Sequence, residues 1–280
     1  MILNIDYERA ELVVSRLQIS FTKRTGLLRE VENLIENQLP DGVKRLSKEH
    51  ALFLFYVIPN DYNMRSELLY ERAKKLFKFN SPLFESAYIL KHYKNEEDPD
   101  LITATAKYLG TRYPKETAKR WYINSEKLLK CFDGDPRNLF RSSSNATLLL
   151  NKIKTFRGYG DKTGGLLLRA VINLKFSEVT ELYEVPQPVD IHDSRIAFYT
   201  RIIMVDANHK EDEINYYDYR KNVAEILLKT CKTLKVQWLD VDQALWLIGS
   251  RGCVKKRCSL CPLLDVCRVG SKGIVNGKRL

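Results

Sequence analysis

Glycine and proline are scarce in this chain, with 13 and 9 copies among 280 residues. That scarcity excludes collagen-like and low-complexity architectures. Long apolar runs are missing too: no stretch approaches the ~18–20 uninterrupted apolar residues that span a bilayer. The first turns carry Asp6, Glu8, Arg9, Glu11 and Arg16 in place of the apolar core of a secretory signal, so the expected compartment is the cytoplasm. Acidic side chains are in deficit, 35 Asp and Glu against 46 Lys and Arg, for a formal net charge of +11. Such an excess makes a polyanion the first partner to consider. Seven of those net charges sit in the last thirty residues, where Arg251, Lys255, Lys256, Arg257, Arg268, Lys272, Lys278 and Arg279 face Asp265 alone. A solvated tail has the same composition, and charge by itself does not decide.

What is present argues for a packed protein. The chain holds 15 Tyr, 11 Phe and 3 Trp, far more apolar surface than a disordered chain carries. Its length suits one large domain or two small ones.

The six cysteines are few but unevenly placed. Cys253, Cys258, Cys261 and Cys267 fall within fifteen residues in the pattern C-x4-C-x2-C-x5-C. Where thiols stay reduced, that spacing reads as a metal site rather than a disulfide framework. Structural zinc usually takes two paired C-x2-C knuckles; here one pair is flanked by two single cysteines, which favours an iron-sulfur cluster over zinc. Cys131 and Cys231 are expected to be small buried hydrophobes.

Apolar positions at three- and four-residue spacing predict helices over 7–19, 26–39, 47–58, 66–78, 82–93, 100–110, 116–132 and 145–155, then 163–175, 192–204, 219–233 and 240–248. Turn chemistry separates them, as at Pro59-Asn60-Asp61 and Asp133-Gly134-Asp135-Pro136. Val185-Pro-Gln-Pro-Val189 predicts a rigid extended link. Between two helices lies Gly158-Tyr-Gly160-Asp-Lys162-Thr163. Two glycines there let backbone N–H groups point outward together at a helix start, which suits an anion. A dinucleotide fingerprint would need a preceding strand, and residues 145–155 read as helix. The expected anion is therefore a nucleic-acid phosphate, contacted without sequence preference.

Three elements in order resemble the helix-hairpin-helix DNA glycosylases of the endonuclease III group. The segment Gly158 to Thr163 is similar to that family's G-x-G-x-K-T, and Val189-Asp190-Ile191-His192 resembles its V-D-T-H. The cysteine loop resembles its cluster loop, with Cys258-Ser-Leu-Cys261-Pro-Leu close to the adenine glycosylase branch. Ile123-Asn124-Ser125-Glu126-Lys127 is a weaker match. The resemblance spans residues 45–268 with two departures: the first cysteine gap is x4 where the family has x6, and the stretch from Lys162 to Asp190 is long, suggesting an insertion near 174–184.

The resemblance implies an all-α, two-lobed fold: a helical barrel domain at 45–182 with the helix-hairpin-helix motif, and a second lobe from 1–44 plus 183–280 with the cluster loop at 253–267. It implies base excision from duplex DNA that carries a damaged base or abasic site, by a monomer associated with the nucleoid. Lys162 would attack the sugar and form a Schiff base, giving AP lyase activity. Asp190 would stabilise the developing positive charge, with Asp193 as the rival carboxylate. A plain N-cap is the other reading of Asp190, and a solvated surface residue the other reading of a lone lysine. Gly158, Gly160, Thr163, Lys255, Lys256 and Arg257 would contact DNA. Asn60 would fill the gap left by the flipped base, although Asn in a turn also tolerates a left-handed backbone. His192 is expected to satisfy a polar contact in the interior. A 4Fe-4S cluster would hold the basic loop and take no part in the chemistry. Two alternatives stay open: a monofunctional glycosylase for uracil or mismatched bases, and a non-catalytic DNA-binding protein with the same hairpin.

Overall fold

The computed structural model describes residues 3–61, 64–205 and 214–271, and the backbone alone at 274–275 and 278–279. Lys272 and the side chains of Lys278 and Arg279, part of the basic tail, lie outside the described residues. The chain is mostly helical and divides into two compact units, Ile35–Glu181 and the pair of segments Met1–Leu34 with Leu182–Leu280. Among the described residues no helix is long and apolar enough to cross a membrane.

In the terminal unit, β1 (Leu3–Ile5) leads into α1 (Tyr7–Thr22). Asp6 caps α1 by accepting from the Arg9 amide at 2.9 Å, and Ala10, Val13, Val14, Leu17 and Phe21 line its buried face. That face packs on α11 (Arg220–Leu234) and α12 (Trp238–Leu247). Most of α12 is buried around its whole circumference, which explains why its sequence shows little amphipathic period. α10 (Ile191–Tyr199) packs on both.

Two expectations fail here. Residues 26–39 do not form one helix; they make single 3₁₀ turns at Gly26–Arg29, Val31–Asn33 and Ile35–Asn37. Gly26, at φ +53°, lies so close to the Leu260 carbonyl that a Cβ there would fall 2.2 Å from its oxygen, and this backbone approach breaks the regular winding. The helix expected over 192–204 stops at Tyr199, and Ile203–Val205 forms β2, antiparallel to β1 with Asn4 opposite Met204. The β-branched Ile202, Ile203 and Val205 favour the strand.

The central unit is built around α2 (Lys48–Val57), in which every residue from His50 to Val57 is buried. Around it stand α3 (Ser66–Asn80), α4 (Ser86–His92), α5 (Pro99–Leu109), α6 (Pro114–Phe132), α7 (Pro136–Phe140), α8 (Ala146–Lys154) and α9 (Asp161–Asn173). Tyr56 stacks on Trp121 with ring centroids 5.1 Å apart. Its hydroxyl meets Ser125 Oγ at 2.6 Å and Ser86 Oγ at 2.9 Å, so the aromatic core carries a satisfied polar centre. The unit begins at Ile35, ten residues before the expected boundary at 45. A buried ion pair accounts for this: Arg169 Nε donates to Glu36 Oε1 at 2.7 Å, with Asn173 at 3.1 Å from the same oxygen. Burial pushes the Glu36 carboxyl up, but the charge and hydrogen bonds of Arg169 hold it below its usual range. Residues 174–181 fold back along the start of α8, where Thr180 N–H donates to Ser144 O at 2.7 Å.

Candidate nucleic-acid interface and cysteine loop

The turn between α8 and α9 needs its first glycine. Gly158 sits at φ +88°, and a Cβ there would lie 2.8 Å from Arg120 Cδ and 3.0 Å from Pro59 Cβ. Gly160 is different: it is the N-cap of α9, and a Cβ there would meet nothing within 4 Å. Thr163 ties the two together, donating to Gly158 O at 2.9 Å while its Oγ1 accepts from the Gly160 amide at 3.0 Å. Its hydroxyl is therefore committed to the turn. Gly160 has no side chain with which to cap the first turn of α9, so that turn presents its amides to an open face. α8 and α9 cross closely at Gly164, whose Cβ position would be 3.1 Å from Leu150 Cδ1.

Asn124, from the weaker sequence match, does not begin a helix; it lies in the middle of α6 and clamps this turn. Its Nδ2 donates to Arg157 O at 3.0 Å and its Oδ1 accepts from Arg157 N at 2.8 Å, reading the backbone as a strand partner would. Glu116 then holds the Arg157 guanidinium with both oxygens, at 2.9 and 3.0 Å. Burial pushes the Arg120 guanidinium below its usual pKa, and its Nη1 donates to Pro59 O at 2.6 Å and to Asn60 Oδ1 at 3.3 Å.

Asn60 is not presented outward. It is 2% exposed, and its Nδ2 donates to Tyr56 O at 2.8 Å, so both ends of the amide bind inside the central unit. This corrects the expectation that Asn60 enters a base stack: the short turn at Ile58–Asn60 folds the side chain back over the end of α2. Lys162 lies on the first turn of α9, half-buried, with Nζ 3.4 Å from the Asp61 carbonyl oxygen. Lys154, the neighbouring cation, pairs with Asp161 at 2.6 Å.

In the terminal unit Asp190 caps α10. Its Oδ1 accepts from His192 N at 2.7 Å and Asp193 N at 3.3 Å, while Asp193 Oδ2 accepts from Asp190 N at 2.8 Å. Asp190 is half-buried and Asp193 only 3% exposed, so of the two carboxylates Asp190 is the one that solvent reaches. His192 pairs its Nδ1 with Arg195 at 2.8 Å, and Gly249 approaches it so closely that a Cβ would lie 2.4 Å from His192 Cβ.

The cysteine loop follows a wide turn at Ile248–Cys253. Arg257 N–H donates to Gly252 O at 2.9 Å and Cys261 N–H to Cys258 O at 3.0 Å, folding the loop back on itself. Burial, followed by the neighbouring thiols, pushes Cys253 up to about 11 and Cys261 up to about 12. The Gly270 amide donates to Cys267 Sγ at 3.4 Å. Among the described residues no three His, Cys, Asp or Glu side chains converge on a common ion. Cys253, Cys258, Cys261 and Cys267 are of the donor type that both zinc and iron-sulfur groups take. Burial makes Cys253 and Cys261 costly to ionise alone, and a metal that collects thiolates would offset that cost.

Lys255 and Lys256 are exposed, Lys256 at φ +53°. Arg257 is less available, because its Nη1 pairs with Glu30 at 2.6 Å while Arg251 Nε takes the other oxygen at 3.0 Å. Burial pushes the Glu30 carboxyl up, yet the hydrogen bonds of the two guanidiniums bring it below its usual value. Cys231 is buried, which pushes its thiol up to about 12; Cys131 is exposed on the last turn of α6, contrary to expectation. No protein-family model matches the chain, and no curated protein matches it.

Proposed function

We propose that this protein is a DNA base-excision glycosylase with associated AP lyase activity, built on a helix-hairpin-helix motif and a cluster loop. The observation that carries the reading is the start of α9. A glycine N-cap open on its outer face lies two residues before a half-buried lysine, and Asn124 and Thr163 hold the turn in shape. An open helix start suits a phosphate, and a lysine on the same turn suits attack on the sugar next to that phosphate.

In the proposed reaction the target nucleotide leaves the stack. The neutral Lys162 amine attacks C1′, and the bond from C1′ to the base breaks with its electron pair leaving on the base. The nitrogen then loses a proton and the C1′–O4′ bond breaks, O4′ taking up a proton, to leave a Schiff base. Loss of a C2′ proton breaks the C3′–O bond, and the 3′ phosphate departs with that electron pair. Asp190 stabilises the positive charge that builds on the sugar as the base departs; its Oδ2 takes no bond from the α10 amides. Cys253, Cys258, Cys261 and Cys267 would hold a 4Fe-4S cluster, which would fix the loop carrying Lys255 and Lys256 against phosphates. An oxidised base, and among oxidised bases a pyrimidine, is the proposed substrate.

The test is a panel of duplexes, each with one lesion (thymine glycol, dihydrouracil, 8-oxoguanine, uracil, hypoxanthine) or a mismatch, scored for base release before and after alkali. Borohydride is expected to trap a covalent complex with abasic-site DNA, and Lys162→Ala to lose trapping while still binding the duplex. Undiminished trapping in that variant would move the nucleophile elsewhere, with Lys152 and Lys154 next to test. Cleavage appearing only after alkali would leave a glycosylase without lyase activity.

A further inference from the structure

The largest exposed aromatic surface among the described residues belongs to neither the hairpin nor the cysteine loop. Phe79, on the last turn of α3, is 66% exposed, more than any other large apolar residue described. Its ring stacks on Tyr108 near the end of α5, with centroids 5.5 Å apart and planes 18° from parallel. Lys107 Nζ lies 5.5 Å from the Tyr108 ring centroid. Lys75, Lys78 and Phe79 follow the i, i+3, i+4 spacing that places them on one helical face, and Lys75, Lys78 and Lys107 are all exposed. Farther along the chain after α5, Arg112 lies over the Tyr113 ring at 5.7 Å, and Tyr113 is 48% exposed.

The pair is held in place. Arg72 Nη1 donates to the Leu109 and Gly110 carbonyls at 3.3 and 3.4 Å, fastening α3 to the end of α5. Two rings stacked at a helix junction and rimmed by ammonium groups make a poor core element, because the outer ring face gains nothing from the fold. They make a good platform for a flat, apolar group carried on an anionic chain. Charge selects the occupant: Lys75 is paired with Glu71 at 2.8 Å, whereas Lys78 and Lys107 form no ion pair among the described residues.

We propose that the Phe79–Tyr108 surface is a second nucleic-acid contact that binds single-stranded DNA, one base stacking on Phe79 while Lys78 and Lys107 meet the flanking phosphates. The choice of DNA over RNA rests on the glycosylase reading; the stacking and charge do not. The surface lies wholly within the central unit.

The experiment measures binding of a fluorescein-labelled oligothymidylate of about 15 nucleotides, the matching oligouridylate, an undamaged duplex and anionic phosphatidylserine vesicles to the full chain. Phe79→Ala is expected to weaken oligothymidylate binding about tenfold while leaving duplex affinity and Tm unchanged, since the side chain is exposed. Phe79→Trp is expected to restore binding. Lys78→Ala with Lys107→Ala is expected to lower the salt dependence by about 1.4 log units per tenfold change in salt, at ~0.7 per phosphate. Unchanged oligothymidylate affinity in Phe79→Ala, a parallel loss on duplex, tighter binding of the uridylate, or loss confined to vesicles would each overturn the proposal. None of these readouts depends on base release, so failure of the glycosylase reading shows separately.

Discussion

At the scale of single residues, the two carboxylates at the start of α10 divide along physical lines. Asn is as good an N-cap as Asp, so Asp190→Asn is expected to keep the fold. It removes the charge that would offset a developing cation, and base release should fall by ~10² or more, as for other lost electrostatic stabilisers. Asp193→Asn alters a buried group and is expected to lower Tm instead. If Asp193→Asn abolishes base release at unchanged Tm while Asp190→Asn does not, the carboxylate role shifts by three residues. A second residue-scale prediction concerns His50. Its ring is fully buried, with Nδ1 accepting from Leu46 N at 3.3 Å, and burial followed by the nearby Arg45 charge lowers its pKa to about 4. The unfolded chain takes up a proton near the ordinary value of 6.5 whereas the folded chain does so only near 4. His50 therefore destabilises the fold progressively as pH falls from 6.5 to about 4, by up to about 3 kcal/mol. Urea midpoints across that range should fall less steeply in His50→Gln. The residue types in the candidate site were legible, but burial was not. Asn60 reads as an outward turn residue from Pro59-Asn60-Asp61, yet the main chain turns it back onto Tyr56 O.

At the scale of elements, the two glycines of the turn before α9 separate shape from access. Gly158→Ala puts a Cβ against Arg120 and Pro59 at φ +88° and is expected to cost about 1–3 kcal/mol. Gly160→Ala meets nothing within 4 Å, so Tm should hardly move while duplex affinity falls, because the new methyl stands in the open space through which a phosphate would approach the helix start. Thermal unfolding and duplex titration of both variants check this; equal affinity in Gly160→Ala would remove the helix start from the interface. The long helices were readable because caps and turns mark them, as with Ser47 before α2, whose hydroxyl accepts from His50 N at 3.2 Å. The failures share one cause: pattern reading sees period but not long-range partners. β1 and β2 exist because Leu3 and Val205 pair across two hundred residues, and the 3₁₀ turns near Gly26 because Leu260 crowds them. The clamp by Asn124 is invisible for the same reason, since its partner lies 33 residues away.

At the scale of the whole molecule, the net charge of +11 overstates what is free to meet a polyanion. Arg16 pairs with Asp265, and Arg251 and Arg257 share Glu30, so the described part of the cysteine loop offers Lys255 and Lys256 as its exposed cations. Replacing both with Ala is expected to lower the salt dependence of duplex binding by about 1.8 log units, at ~0.9 per phosphate, whereas replacing Arg257 alone should change it little and cost some stability by leaving Glu30 with Arg251 alone of its two guanidinium partners. To deliver two lysines in register, as proposed, that loop would have to be rigid, and its own apolar support is thin: Leu263 is buried, while Val254 and Leu260 are 59% and 43% exposed. A loop of this length with so small a core gains from a further link, and under the proposed reading a metal held by its four cysteines would supply it. The protein purified without oxygen is therefore expected to be yellow-brown, with iron and acid-labile sulfide in about equal amounts as a 4Fe-4S group requires. Cys261→Ser should lose the colour and lower duplex affinity, since the lysines lose their frame. A colourless preparation holding zinc at one equivalent per chain and no iron would overturn the cluster while leaving the mechanical argument for the loop in place, because zinc at the same sulfurs would fasten it equally well.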